Sequence, residues 1–243
     1  MGSTFPGATG LSEISIYDWP GADGAAGGSP HLHTASTEAY VVLQGSGRLE
    51  TLDSRGFTST PLVPGVVLWF TPGTVHRAIN DSGDLRVLVV MQNAGLPEHG
   101  DAVMTFPPEY LADAARYRRA AALEHKDADA GLAEAEEAAR RRRDLALEGY
   151  WSLKQAVLAT GPAALADFHA AAARLVSHRT GIWADVLAAG AARQAEVTRQ
   201  QLASLDLAES AYLGNARTTM GKRENRRTYG MCGRIQTWEL SDN

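Results

Sequence analysis

Three histidines and one carboxylate in the first third of the chain have the types and spacing to hold a metal ion. His31-Leu32-His33 sets two imidazoles at spacing two. Along a strand, alternate side chains share a face, so both rings point to the same side. Glu38 follows five residues after His33, at the start of the next alternating segment, and His76 opens the segment 75–80. Three neutral imidazoles and a carboxylate suit a divalent transition metal, and Fe, Mn, Ni, Co, Cu and Zn all accept that set. Such an ion would supply a Lewis acid and a place for water or substrate. Singly, each residue also has a plain structural reading, as a hydrogen-bonded core histidine or a surface acid. Together they require a fold that brings residues 31–38 beside residue 76.

The surrounding sequence predicts such a fold. Short alternating or apolar runs at 11–17, 38–43, 48–52, 57–60, 65–70, 74–79 and 85–92 read as strands. Between them lie Gly-Ala-Asp-Gly, Gln-Gly-Ser-Gly, Asp-Ser-Arg-Gly, Val-Pro-Gly and Asp-Ser-Gly-Asp, which are turn sequences. Many short strands without intervening helices imply a sandwich or a closed barrel. Composition changes near residue 107: every proline but Pro162 lies at or before Pro108, and alanine dominates from there to residue 211. Helices are expected over 108–123, 128–159, 162–178 and 181–211, with Gly161-Pro162 as a stop and restart. Glu136 and Glu137 precede Arg140 and Arg141 by four residues, so the run Arg140–Arg143 reads as a solvated helix face. The last 30 residues are basic, and 234–240 alternates as a strand that needs a partner, for which an edge of the first sheet is the nearest candidate.

The segment His31-Leu-His33-Thr-Ala-Ser-Thr-Glu38-Ala-Tyr-Val-Val-Leu-Gln-Gly45 resembles the first cupin motif. Gly65-Val-Val-Leu-Trp-Phe-Thr-Pro-Gly73-Thr-Val-His76-Arg-Ala-Ile-Asn80 resembles the second. The leading glycine of motif one is displaced, and Thr71-Pro72 stands where the family usually has Pro-x; both changes fall in loops. The resemblance spans about residues 10–93 and fills all four family ligand positions, His31, His33, Glu38 and His76, for one divalent metal ion. It implies an N-terminal antiparallel jelly-roll β-barrel over 1–106. Joined to the antiparallel helical region read over 107–213 and the basic tail over 214–243, whose terminal strand is expected to pack back on the barrel, the chain reads as α+β. The resemblance also implies a metal-dependent enzyme, an oxygenase or an isomerase, acting on a small polar substrate such as a sugar-like or carboxylate compound. A non-catalytic ligand-binding or sensing barrel is the alternative, and a homodimer is the default assembly.

Further site residues follow from period two. Tyr40 and Val42 share the face of Glu38, and Ala78 and Asn80 share that of His76, so Tyr40 and Asn80 are candidates to orient a substrate. Arg77, beside His76, and Arg227 and Arg234 in the tail are candidates to bind a substrate carboxylate or phosphate. His99, His125, His169 and His178 read as loop, packing or surface residues. Cys232 reads as a buried thiol, and a single cysteine excludes an internal disulfide. The net charge of −5 carries no concentrated basic face, which argues against nucleic acid. No run of about 18 apolar residues would span a membrane, and no leader pattern is evident at the start, so a cytoplasmic protein is expected.

Overall fold

A computed structural model describes residues 5–242. Nine strands come first: β1 Gly10–Ile16, β2 His31–His33, β3 Glu38–Gln44, β4 Gly47–Asp53, β5 Gly56–Leu62, β6 Val67–Phe70, β7 Val75–Asn80, β8 Arg86–Met91 and β9 Ala102–Met104. Helices α1 Pro108–Leu111, α2 Ala114–Ala121, α3 Ala133–Thr160, α4 Ala166–Val176, α5 Thr180–Ala189 and α6 Ala191–Asp206 follow. Three strands, β10 Thr219–Arg223, β11 Thr228–Tyr229 and β12 Gly233–Asp242, close the chain. Among the described residues no helix is long and apolar enough to cross a membrane.

The strands form two antiparallel sheets. One runs β10-β12-β1-β8-β3-β6, with β11 also on β12; the other runs β5-β4-β7-β2-β9. Their inner faces meet in a core that joins Ile14, Tyr40, Val42 and Val89 of the first sheet to Leu49, Leu62 and Ala78 of the second. The closed barrel expected above is not formed: among the described residues no ladder joins β5 to β6, so a seam stays open between these two edge strands. The outer face of the second sheet is covered by helices. Leu32, Leu52, Val75 and Val103 pack there with Tyr150, Val157, Phe168, Leu175 and Trp183. The order is therefore sheet, sheet, helices.

Local chemistry explains most element limits. In β3 the alternation is visible directly, with Glu38, Tyr40 and Val42 buried and the residues between them less so. Strand β7 is buried at every position because both of its faces are covered. Asp113 caps α2 by accepting from the backbone N–H groups of Ala115 and Arg116, which splits the expected helix over 108–123 in two. Gly161 ends α3 at φ +84° and Pro162 restarts the chain. The helix expected over 181–211 breaks at Gly190 and ends at Asp206. Gly149 allows α3 to lie directly on the chain after β9, since a Cβ there would sit 2.0 Å from the Thr105 carbonyl oxygen.

Two sequence expectations change in detail. Arg140 and Arg141 do pair with Glu136 and Glu137, but Arg142 and Arg143 face inward. Arg143 is 1% exposed and donates to the carbonyls of Trp19, Pro20 and Gly27, while Arg142 donates to that of Gly230. A run of four charges covers more than half a helical turn, so it cannot all face solvent on a packed helix. The terminal strand is longer than expected and pairs with β1, with Ile235 opposite Ile14. It is covered on its far side by β10, at whose end Arg223 meets Glu13 at 2.9 Å.

Candidate metal centre

The short strand β2 turns His31 and His33 inward and Leu32 outward into the helical core. Strand β7 pairs beside it with His76 directly opposite His31. Glu38 enters from the other sheet at the first residue of β3. The turn before β7, with Gly73 at φ +89°, donates its N–H to the His33 carbonyl at 2.9 Å and so ties the two motifs together. As a result one ligand atom from each of the four residues lies within 4.8 Å of the others, and every side chain is buried.

The hydrogen-bonding of the rings fixes which nitrogens face the centre. Nδ1 of His31 meets the Ser29 carbonyl at 2.9 Å, and Nδ1 of His76 meets the Thr74 carbonyl at 3.2 Å. Nδ1 of His33 meets Asp101 Oδ1 at 2.7 Å. All three partners are acceptors, so each Nδ1 carries the proton and each Nε2 is directed to the shared space. Glu38 Oε2 lies 3.1 Å from His33 Nε2 and 3.3 Å from His76 Nε2. These contacts lack hydrogen-bond alignment, and among the described residues Glu38 Oε2 and His76 Nε2 have no hydrogen-bond partner. Buried polar atoms left in this way are costly unless a cation joins them. Three anchored imidazoles converging on an unpartnered carboxylate oxygen therefore fit a divalent ion by chemistry and by tautomer.

The electrostatics describe a site poised between charges. Burial, together with the neighbouring His76 and His33, holds His31 well below its usual range. For His33 burial acts in the same sense, but Asp101 and Glu38 outweigh it and push the ring up to about 10. Burial would raise Glu38, yet the adjacent His33 and His76 hold its carboxyl well below the usual carboxylate range.

The other expected site residues lie elsewhere. Tyr40 and Val42 are packed core rather than pocket wall, and the Tyr40 hydroxyl is in contact with Cys232 Sγ at 3.4 Å. Burial, and then the Glu38 charge, push the Cys232 thiol up to about 12, with Tyr40 acting in the opposite sense. Asn80 clamps a turn: its amide donates to the Ile16 carbonyl and its oxygen accepts from the Leu85 N–H, both at 3.0 Å. Arg77 is not available to a substrate. Alternation turns it to the face opposite His76, where it is 1% exposed and paired with Asp23 at 2.5 Å. Nor do the tail arginines reach the centre. Arg227 pairs with Asp129 before α3, and Arg234 pairs with Asp18 and lies over the Trp19 ring.

Two features had no signal in the ligand motifs. The first is Asp101, in the loop before β9. The second is a cleft of about 230 Å³ at the open seam, lined by Thr51, Thr58 and Thr60 on β4 and β5 and by Trp69, Phe70 and Thr74 across from them. Its inner end adjoins the cluster, because Thr51 pairs with His76 across the ladder and the Phe70 ring is 4.2 Å from the His76 ring. Among the described residues no hydrogen bond engages these threonine hydroxyls. A larger cavity of about 610 Å³ lies between Leu32, Pro72 and helices α4 and α5. It is on the outer side of β2, away from the four-residue cluster, and has mainly apolar walls.

Two facing antiparallel sheets with an inward His, His, Glu and His are the architecture of a cupin. The family profile of the cupin domain matches residues 20–91, and that segment is a cupin domain. Solved structures give matches over about a third of the chain. One is described as a sugar phosphate isomerase from Acidithiobacillus ferrooxidans, at 30% identity, covering 35% of this chain and 49% of that one with a TM-score of 0.28. Another is WlaRA, a TDP-fucose-3,4-ketoisomerase from Campylobacter jejuni, at 17% identity, covering 37% and 64% with a TM-score of 0.31. A third is a conserved protein with a double-stranded β-helix domain from Klebsiella pneumoniae, at 17% identity, covering 38% and 70% with a TM-score of 0.29. The match thus spans less than two thirds of the first two proteins. No curated protein matches the chain.

Proposed function

We propose that the protein is a metal-dependent cupin enzyme acting on a small polar organic molecule, with one divalent ion held by His31, His33, Glu38 and His76. The observation that carries this reading is the common anchoring of three Nδ1 atoms, which directs three Nε2 atoms at Glu38 Oε2. When bound, the ion would act as a Lewis acid toward a substrate oxygen, and its identity decides between oxygenase and isomerase chemistry. The chain's own residues supply the rest. The threonine-lined cleft offers hydroxyl donors and acceptors to a hydroxylated or carboxylate compound. Phe70 lines the inner end of the cleft, and the packed core around Tyr40 limits the water beside the four residues.

Elemental analysis of untagged protein tests the reading, beside a His31→Ala/His33→Ala control. The expected result is near-stoichiometric metal in the natural protein and background metal in a folded control. Equal metal in both would overturn the ligand assignment. No metal after reconstitution would move the protein to the ligand-binding alternative. The homodimer belongs to the same proposal, and the solution mass by light scattering reads it directly.

A further inference from the structure

Asp101 lies beyond the matched segment and outside both motifs, yet it touches a ligand of the centre. Its side chain is fully buried. Oδ1 accepts from His33 Nδ1 at 2.7 Å, and Oδ2 is buried with no hydrogen-bond partner among the described residues. Leaving a carboxylate oxygen in that state costs free energy, so the residue is not neutral filler. Its backbone is fixed to the same strand. The Asp101 carbonyl accepts from both the N–H and the hydroxyl of Thr34, the residue after His33, at 2.9 and 2.8 Å.

The helical region grips the other end of this loop. Arg179 donates to the His99 carbonyl at 2.9 Å, and the Trp183 indole N–H donates to the same oxygen at 3.3 Å. At Nδ1, His31 and His76 rest on backbone carbonyls, whereas His33 has a carboxylate there. A carboxylate behind a ligating imidazole fixes its tautomer and ring orientation and raises its basicity as a ligand.

We propose that Asp101 is a positioning residue for His33, and that helix α5 holds it in place through the His99 carbonyl. The proposal rests on the metal-centre reading but has a readout that does not need the metal. In full-length, metal-free protein, side-chain ¹⁵N NMR should show a slowly exchanging low-field Nδ1 proton, assigned to His33 by its loss in His33→Gln. It should vanish in Asp101→Ala and move upfield in Asp101→Asn, the near-isosteric variant that preserves packing.

With zinc alone as the probe, chelator competition should give an affinity about 10–100-fold lower for Asp101→Ala. The loss should be smaller for Asp101→Asn, and smaller again for Trp183→Phe. The Nδ1 proton persisting in Asp101→Ala would overturn the proposal. So would unchanged zinc affinity in both folded Asp101 variants. A wild-type protein that shows the proton, loses it in the variants and takes no zinc would overturn the metal reading while supporting the orienting bond.

Discussion

The contact of α3 with the strand layer yields a pair of substitutions with opposite signs. At Gly149 a Cβ would lie 2.0 Å from the Thr105 carbonyl oxygen, 2.7 Å from the Phe106 carbonyl carbon and 2.8 Å from its oxygen. All three are backbone atoms, so no flexible side chain can yield. Restoring ordinary contact at 3.4 Å requires α3 to back away by about 1.4 Å. Overpacking of this kind costs about 1–3 kcal/mol, and the rigid neighbours place it at the upper end. Alanine recovers about 1 kcal/mol of helix propensity over glycine. Gly149→Ala should therefore lose about 1–2 kcal/mol net, which lowers Tm by about 2–8 °C for a chain of this size. Gly181 on α5 has nothing within 4 Å of its Cβ position, so Gly181→Ala should raise Tm by up to about 4 °C. Calorimetry or thermal circular dichroism on both variants reads the two signs. A Gly149→Ala protein as stable as Gly181→Ala would refute the close seating of α3.

Asp23→Asn should destabilise the fold by about 2 kcal/mol, below the ~3–5 kcal/mol of a fully buried pair because Asp23 is 29% exposed while Arg77 is 1% exposed. Partial burial raises the Asp23 carboxyl, but Arg77 outweighs it and holds the group below its usual value. A depressed carboxyl stabilises the fold above its unfolded pKa, near 3.9, and that gain fades as pH falls through the folded value. Urea titrations should show the gap between the natural and Asn proteins shrinking in that acid window, and a gap constant from pH 7 to 2 would count against the pair. Cys232 is buried, with its thiol pushed up to about 12, so a chromogenic disulfide reagent at neutral pH should label it only at the rate of unfolding. Rapid labelling of folded protein would show that the sheet interior is open there.

The histidine pair of the cluster was legible because its spacing is a property of strands: period two puts His31 and His33 on one face whatever else the chain does. The terminal strand was legible for a related reason, since an alternating segment cannot remain unpaired. Asp101 was not legible. Its relation to His33 spans 68 positions and depends on a loop with positive φ at Asn93, Gly95 and Gly100, a geometry no local period announces. The burial of Arg143 was hidden for the opposite reason. A local i,i+4 pattern explained the run well, while the three carbonyls that Arg143 holds come from a loop more than 110 residues earlier. The Arg77 expectation failed on parity, because the residue beside a ligand on a strand necessarily faces away from it.

Strand β2 shows why the helices cannot be treated as an appendage. It has three residues, and a slip of one would send Leu32 into the ligand cluster and both histidines into the apolar layer. Three residues hold no register alone; it is set by pairing with β7 and β9. The chain after β9 is in turn held by Thr105 Oγ1, which donates to the Ala146 carbonyl of α3 at 2.7 Å. A fragment of residues 1–106 would lose that hold and the helical cover of Leu32, Leu52, Val75, Val103 and Phe106. At about 1.5–3 kcal/mol for each buried side chain, the loss is roughly 8–15 kcal/mol. That equals the whole stability of an ordinary domain, about 5–15 kcal/mol. The fragment should therefore bind a hydrophobic dye, give a poorly dispersed amide spectrum and fail to take up zinc. A well-dispersed fragment with the zinc affinity of the full chain would show instead that the two sheets set the β2 register without the helices.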